Sequence, residues 1–260
     1  MRPHHKKAIE KLTEKLKKKE QYLALIIAGS VAKGVEEENS DIDIIIVVTD
    51  EEFERRKEKN NLIYFSTRFC KYPNGYFDGK IVNLQFIKML AERGPEPARD
   101  AFNGAFIAFS KIPELEEIVK KIPVYQKDEQ IEKIKTFYAQ FECAKWYLEE
   151  AEKRNDKYLL THAVAALILY GGRLILAHNE ILYPYHKLFM IELRKAPKKP
   201  ENLMALIDTL LEEPNSKNAQ AFFDAIKNFK DWNFREVWPV RFMLDTEWAW
   251  INGKTYIGDI

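Results

Sequence analysis

The sequence predicts an α+β protein in two parts, a mixed sheet with flanking helices over residues 1–124 and a helical bundle over residues 125–260. Three observations carry this. Two apolar runs, Leu23 to Ala28 and Ile44 to Val48, flank a polar stretch and have the length and branched content of strands. Strand-like alternation stops near residue 125, after which Ile131, Ile134, Phe137, Tyr138, Phe141 and Leu148 recur at largely helical spacing. Residues 157–177 are then apolar nearly all round, as the central helix of a bundle must be.

In chain order, residues 4–20 read as an amphipathic helix with Ile9, Leu12 and Leu16 on one face, leading into a strand at 22–28. After the second apolar run, Asp50, Glu51 and Glu52 give a short helix through Lys57 the acidic first turn that the helix dipole favours. Leu62 to Phe65 reads as a strand. Asp78-Gly79 reads as a turn before a further strand from Lys80 to Phe86, with helical pieces at 87–93 and 96–102 and a closing strand from Ala105 to Phe109. In the second half, Gly171-Gly172 inside the central helix implies close approach of another backbone. Further helices are expected at 201–213, 218–229 and 235–249, with Pro200 and Pro214 as boundaries and Pro239 in a first turn.

Composition excludes several classes. A formal net charge of +1 with no basic stripe gives no case for binding a nucleic-acid backbone. No apolar run approaches the ~18 residues of a membrane span and the N-terminus lacks an apolar signal core, so no membrane is expected and the location read is cytoplasmic. Cys70 and Cys143 are isolated, which fits a reduced compartment.

The chemistry sits between the first two strands. Side chains two apart on a strand share a face, so Asp41 and Asp43 project together while Ile42 turns to the buried side. Two carboxylates roughly 7 Å apart repel unless a cation lies between them, and hard oxygen ligands suit Mg²⁺. Gly29-Ser30, at a strand end before a short helix, offers backbone N–H groups and a hydroxyl to an anion. An anion cradle beside metal-binding acids suggests a nucleoside triphosphate.

Gly29-Ser30, a short polar stretch, and Ser40-Asp41-Ile42-Asp43 before an apolar strand resemble the signature of the DNA polymerase β-like nucleotidyltransferase superfamily. The Ser-Asp-Ile-Asp form is similar to that of aminoglycoside (kanamycin-type) nucleotidyltransferases and their bacterial relatives. The resemblance implies a nucleotidyltransferase-type N-terminal domain that moves a nucleoside monophosphate from a triphosphate such as ATP to a hydroxyl of a small-molecule acceptor. Asp41 and Asp43 would hold Mg²⁺, and Gly29, Ser30, Lys33 and Ser40 would hold the nucleotide. The helical half would present the acceptor. Tyr183, Tyr185, His186 and Lys187, in a segment similar to a loop of some relatives, are the candidate acceptor residues.

Superfamily enzymes usually add a third acid on a later strand. With that strand at Lys80 to Phe86, alternation turns Asn83 or Gln85 toward the site, and the resemblance favours Asn83; Asp78, in the preceding turn, is the remaining choice. An amide cannot accept the proton, so impaired transfer is expected. The rival reading is a nucleotide-binding regulatory or antitoxin-like protein that performs no transfer.

Overall fold

The computed structural model describes residues 1–234 and 237–253. The chain divides into two compact units, Met1–Val124 and Tyr125–Ile260.

The first unit runs α1 (Pro3–Lys17), β1 (Tyr22–Ile27), α2 (Gly29–Lys33), β2 (Ile42–Val48), α3 (Asp50–Glu58), β3 (Ile63–Ser66), β4 (Phe77–Asn83), α4 (Leu84–Arg93), α5 (Glu96–Asp100), β5 (Phe106–Ser110) and α6 (Leu115–Lys121). The five strands form one sheet in the order β3-β4-β2-β1-β5. Pairing is antiparallel except between β2 and β4, which run parallel and make the sheet mixed. Both faces of β2 are covered, which explains its unbroken apolar run. On one face Ile42, Ile44, Ile46 and Val48 pack with Leu12 and Leu16 of α1; on the other Ile45 and Val47 meet Ile87 and Leu90 of α4 and Leu115 and Val119 of α6.

One expectation about this sheet fails at β4. The strand starts at Phe77, not Lys80, so Asp78-Gly79 lies within it and is no turn. It ends at Asn83, and Gln85 falls in the first turn of α4. Long-range pairing with β2 has overridden the local turn preference of an Asp-Gly pair, as sheet context commonly does.

The second unit contains α7 (Gln130–Arg154), α8 (Lys157–His178), α9 (His186–Lys195), α10 (Leu203–Glu212), α11 (Ser216–Phe229) and α12 (Trp238–Asp245). Of the helix expected over 235–249, residues 235–236 lie outside the described residues, and Pro239 sits in the first turn of α12. Helix α8 is long and apolar enough to cross a membrane by length and composition, contrary to the expectation that no segment approaches a span. Half of its apolar window is buried in the bundle, where Leu167, Leu174 and Ile175 are fully enclosed. The paired glycines of α8 admit aromatic rings and not a second backbone. A Cβ at Gly171 would press on Phe222 and Phe141, and one at Gly172 on Phe189.

In the first unit, α3 is anchored by Glu52, whose carboxylate accepts from Arg55 Nε at 2.8 Å and Arg56 Nε at 2.6 Å, while Arg56 also donates to the Tyr22 hydroxyl. Burial pushes the Glu52 carboxyl up, but the two guanidinium groups outweigh it and hold it below the usual range. A carboxylate with a depressed folded pKa stabilises above its unfolded pKa and loses that contribution as pH falls through the folded value. Glu52→Gln should therefore cost about 1–3 kcal/mol in urea unfolding at pH 7, with the gap to wild type closing below about pH 4. A gap independent of pH would remove the charge from the explanation.

Candidate functional site

The site is built at the mouth of β2. The β1 strand ends at Ile27, opposite Ile44, and the chain turns sharply through Ala28, whose N–H donates to the Asp43 carbonyl at 2.9 Å. Gly29 follows with φ of +64°, a left-handed conformation that favours glycine. Its missing side chain is needed twice over, because a Cβ there would overlap the Asp43 carboxylate. The start of α2 is thus laid directly against one of the two acids, with Ser30 in its first turn.

Asp41 and Asp43 are both half-buried, and Ile42 between them is fully buried on the opposite side. Parallel pairing sets Asp43 in register with Asp78 of β4, so these two acids stand side by side on neighbouring strands and project to one face. The phenol of Tyr76 reports the result. Asp41, within hydrogen-bonding reach of its hydroxyl, is the main cause that holds the phenol above its ordinary range, with Asp78 and Asp43 adding to it. Three carboxylates therefore bear on one point. Among the described residues no group of three His, Cys, Asp or Glu side chains is already closed around an ion position. The acids share a strand end without having been drawn together.

Asn83 and Gln85 do not join them. Asn83 pairs with Val48 at the far end of β2, five residues beyond Asp78 and about 16 Å along the strand at ~3.3 Å per residue. Its side chain caps α4, with Oδ1 accepting from Phe86 N–H and Nδ2 donating to Asp50, both at 2.9 Å. The expectation that Asn83, or failing it Gln85, faces Asp41 and Asp43 is corrected by the earlier start of β4. The acid beside the pair is Asp78.

The remaining nucleotide candidates are braced within the loop and its surroundings. Lys33 forms an ion pair with Asp100 at 3.1 Å. The Ser40 hydroxyl accepts from Glu37 N–H at 2.8 Å and so shapes the loop that delivers Asp41. Sequence reasoning missed what holds that loop from outside. The Ser40 carbonyl accepts from the Tyr72 hydroxyl at 3.0 Å and lies 3.2 Å from Nε2 of the fully buried His5, which must carry the ring proton to donate there. His4 packs against Tyr72 with ring centroids 4.5 Å apart and the rings tilted by 47°, and its Nε2 meets the Glu38 carbonyl at 3.0 Å. Burial, then His4, lowers the His5 pKa and keeps the ring neutral. The only signal of this clamp in the sequence is the His4-His5 pair on the apolar side of α1.

In the second unit, Tyr183 is buried, its hydroxyl 3.1 Å from Nδ1 of His186, and the Arg173 guanidinium lies over its ring at 4.7 Å and over Phe137 at 4.0 Å. Tyr185 has φ of +70° and ψ of 172°, a region rarely held by a residue with a side chain, and precedes His186 at the start of α9. Tyr185 and Lys187 point to solvent, whereas His186 lines a cavity among α7, α8, α9 and α12.

Residues 10–73 match the family model described as Polymerase beta, Nucleotidyltransferase, a span that includes Gly29, Ser30, Asp41 and Asp43. No curated protein matches the chain. Among solved structures, a nucleotidyltransferase-like protein from Exiguobacterium sibiricum 255-15 aligns with a TM-score of 0.52 at 9% identity, over 93% of this chain and 79% of that one, which shows a shared fold.

Two substitutions test the geometry. Gly29→Ala should lower stability by about 1–2 kcal/mol through its left-handed backbone alone and displace Asp43 as well; an unchanged urea midpoint would deny the close approach. Tyr72→Phe should cost about 1 kcal/mol by removing one of the two donors on Ser40, and a double variant with His5→Ala that merely adds the single effects would show that the two donors are not coupled. The first unit is thus similar to polymerase β-type nucleotidyltransferases over residues 10–73, and the chain shares its fold with a nucleotidyltransferase-like protein.

Proposed function

We propose that the protein transfers a nucleoside monophosphate from a nucleoside triphosphate to a hydroxyl of a small-molecule acceptor, with Asp41, Asp43 and Asp78 as its acidic set. The observation that carries this is the in-register pairing of Asp43 with Asp78, next to Asp41 and against Gly29. The donor set suits a hard divalent cation, since all three groups offer carboxylate oxygens and nothing softer. Mg²⁺ held by Asp41 and Asp43 would neutralise phosphate oxygens and acidify the attacking hydroxyl.

The chain's own residues do the rest. The turn at Gly29 and the hydroxyl of Ser30 receive the outer phosphates, with the Ser40 loop fixing the approach of Asp41. Lys33 is held by Asp100, whose carboxylate is buried, so giving it up for phosphate would leave an uncompensated buried charge at a cost of several kcal/mol, and Lys33 braces α2 in this reading. Asp78, exposed and beside Asp43, accepts the proton of the acceptor hydroxyl. The oxygen so freed attacks the α-phosphorus, the bond to the β-phosphate oxygen breaks, and pyrophosphate leaves. With a carboxylate in this position, the expectation of transfer crippled by an amide at Asn83 loses its basis. The second unit supplies the acceptor surface in this reading, and the isolated Cys70 and Cys143 support a reduced, cytoplasmic setting.

Pyrophosphate release, measured over a panel of triphosphates and hydroxyl acceptors with calorimetry of Mg²⁺–triphosphate binding alongside, tests the proposal. Asp41→Asn and Asp43→Asn should lose metal-dependent binding. Asp78→Asn should keep much of the binding and lose transfer by about 100-fold or more, while Asn83→Asp leaves transfer unchanged. Tight triphosphate binding without turnover on any acceptor would favour the regulatory reading, and wild-type turnover in Asp78→Asn would remove that residue from the mechanism.

A further inference from the structure

Protein interiors leave few voids larger than a water molecule. The second unit carries a larger hollow that opens to solvent. Between α7, α8, α9 and α12 lies a cavity of about 810 Å³, within the range of ~300–1,000 Å³ typical of small-molecule sites. It opens beside Ala165, His162 and Leu211, which are exposed. Its roof is held by Arg241 of α12, which reaches Glu132 at 2.7 Å and Thr136 at 2.6 Å on α7 and Asp245 at 2.6 Å on its own helix. The hollow is thus a cleft open to solvent on one side, with α12 tied to α7 across it by a charged brace.

Its chemistry is selective. Phe137, Leu169, Phe189, Met190 and Phe242 give it a wide apolar wall. Two ionic side chains line it, and neither makes it a receptor for cations. Asp245 is bound to Arg241, and the Arg173 guanidinium lies across the faces of Phe137 and Tyr183. A polyamine or aminoglycoside would have to place several ammonium groups against this wall with, among the described residues, Glu247 beside Cys143 and Tyr147 and the Arg241-bound Asp245 to receive them, at a desolvation cost of several kcal/mol for each charge left over. The uncharged polar groups favour a different guest. Gln140 and His162 make no side-chain hydrogen bond among the described residues, and His186, bonded to Tyr183 through Nδ1, has a second ring nitrogen. Few, separated hydrogen-bonding groups on an apolar wall fit hydroxyl or carbonyl substituents on a hydrophobic body.

We infer that this cavity binds one uncharged, predominantly apolar small molecule bearing hydroxyl groups. If the transferase reading holds, on which this further step rests, that molecule is the small-molecule acceptor whose hydroxyl is modified.

The full chain is titrated with N-phenyl-1-naphthylamine, a neutral apolar fluorophore, without nucleotide. One saturable site per chain is expected, with affinity reduced at least tenfold by Ala166→Trp, which fills the cavity, and by Ala165→Trp at its exposed rim, where folding is not at risk. Circular dichroism and thermal melting confirm that both variants are folded. Kanamycin should not displace the probe, and Asp41→Asn should bind it as wild type does. Unsaturable binding, several probes per chain, saturable binding indifferent to both tryptophans, or displacement by kanamycin would each overturn the inference. Because the readout needs no nucleotide, loss of the transferase reading would leave this result standing, and the converse.

Discussion

A central strand covered on both faces can carry charge only where the cover ends. That constraint governs the first unit. From Ile44 to Val48, β2 is enclosed between α1 on one side and α4 and α6 on the other, and an ionised carboxylate within that run would lack both water and partners. Asp41 and Asp43 stand at the mouth, where α1 and α2 leave them half-exposed. The same apolar run that stabilises the sheet therefore confines the acids to one edge, and β4, running parallel beside it, delivers Asp78 to that edge. Stability and chemistry are divided along one strand.

What could be read from the sequence follows the range of the interactions involved. Asp41 and Asp43 are related by a two-residue period, and Gly29 by the punctuation of a strand end; both are local, and both were legible. Asp78 depends on the register of a parallel pair whose partners are 35 residues apart, and no local pattern encodes such a register. Its neighbour Gly79 made the position resemble a turn, whereas in the sheet that glycine sits against the backbone of Ile44, where a Cβ would collide. The Ser40 clamp is equally non-local, since His5 and Tyr72 come from opposite ends of the unit's first 72 residues.

In the second unit the amphipathic faces were legible and their meeting was not. Leu167, Leu174 and Phe222 could be assigned to a core from periodicity, and the glycine pair of α8 pointed to close packing. The start of α9 at His186 carried no sequence signal, because Tyr185 precedes it in a strained conformation and provides no side-chain cap. A cavity is harder still to read. It depends on how α9 and α12 sit against the closely packed α7 and α8, and Arg241, reaching more than a hundred residues back to Glu132 and Thr136, ties α12 to α7.

In the proposed reading, the electrostatics of the edge favour a cation among the acids over the bare protein. Asp41, Asp43 and Asp78 repel one another, and the phenol of Tyr76 offers Asp41 a single neutral donor as partial relief. Lys33, close in sequence to the Gly29 turn, is spent on Asp100 and does not neutralise the acids. The clamp on Ser40 contributes position without charge, since burial keeps His5 neutral. In the proposed reading, a metal bound among the three carboxylates would relieve their mutual repulsion and would in turn draw phosphate oxygens toward Gly29 and Ser30. Metal and nucleotide should therefore bind with positive coupling, each strengthening the other by the same factor.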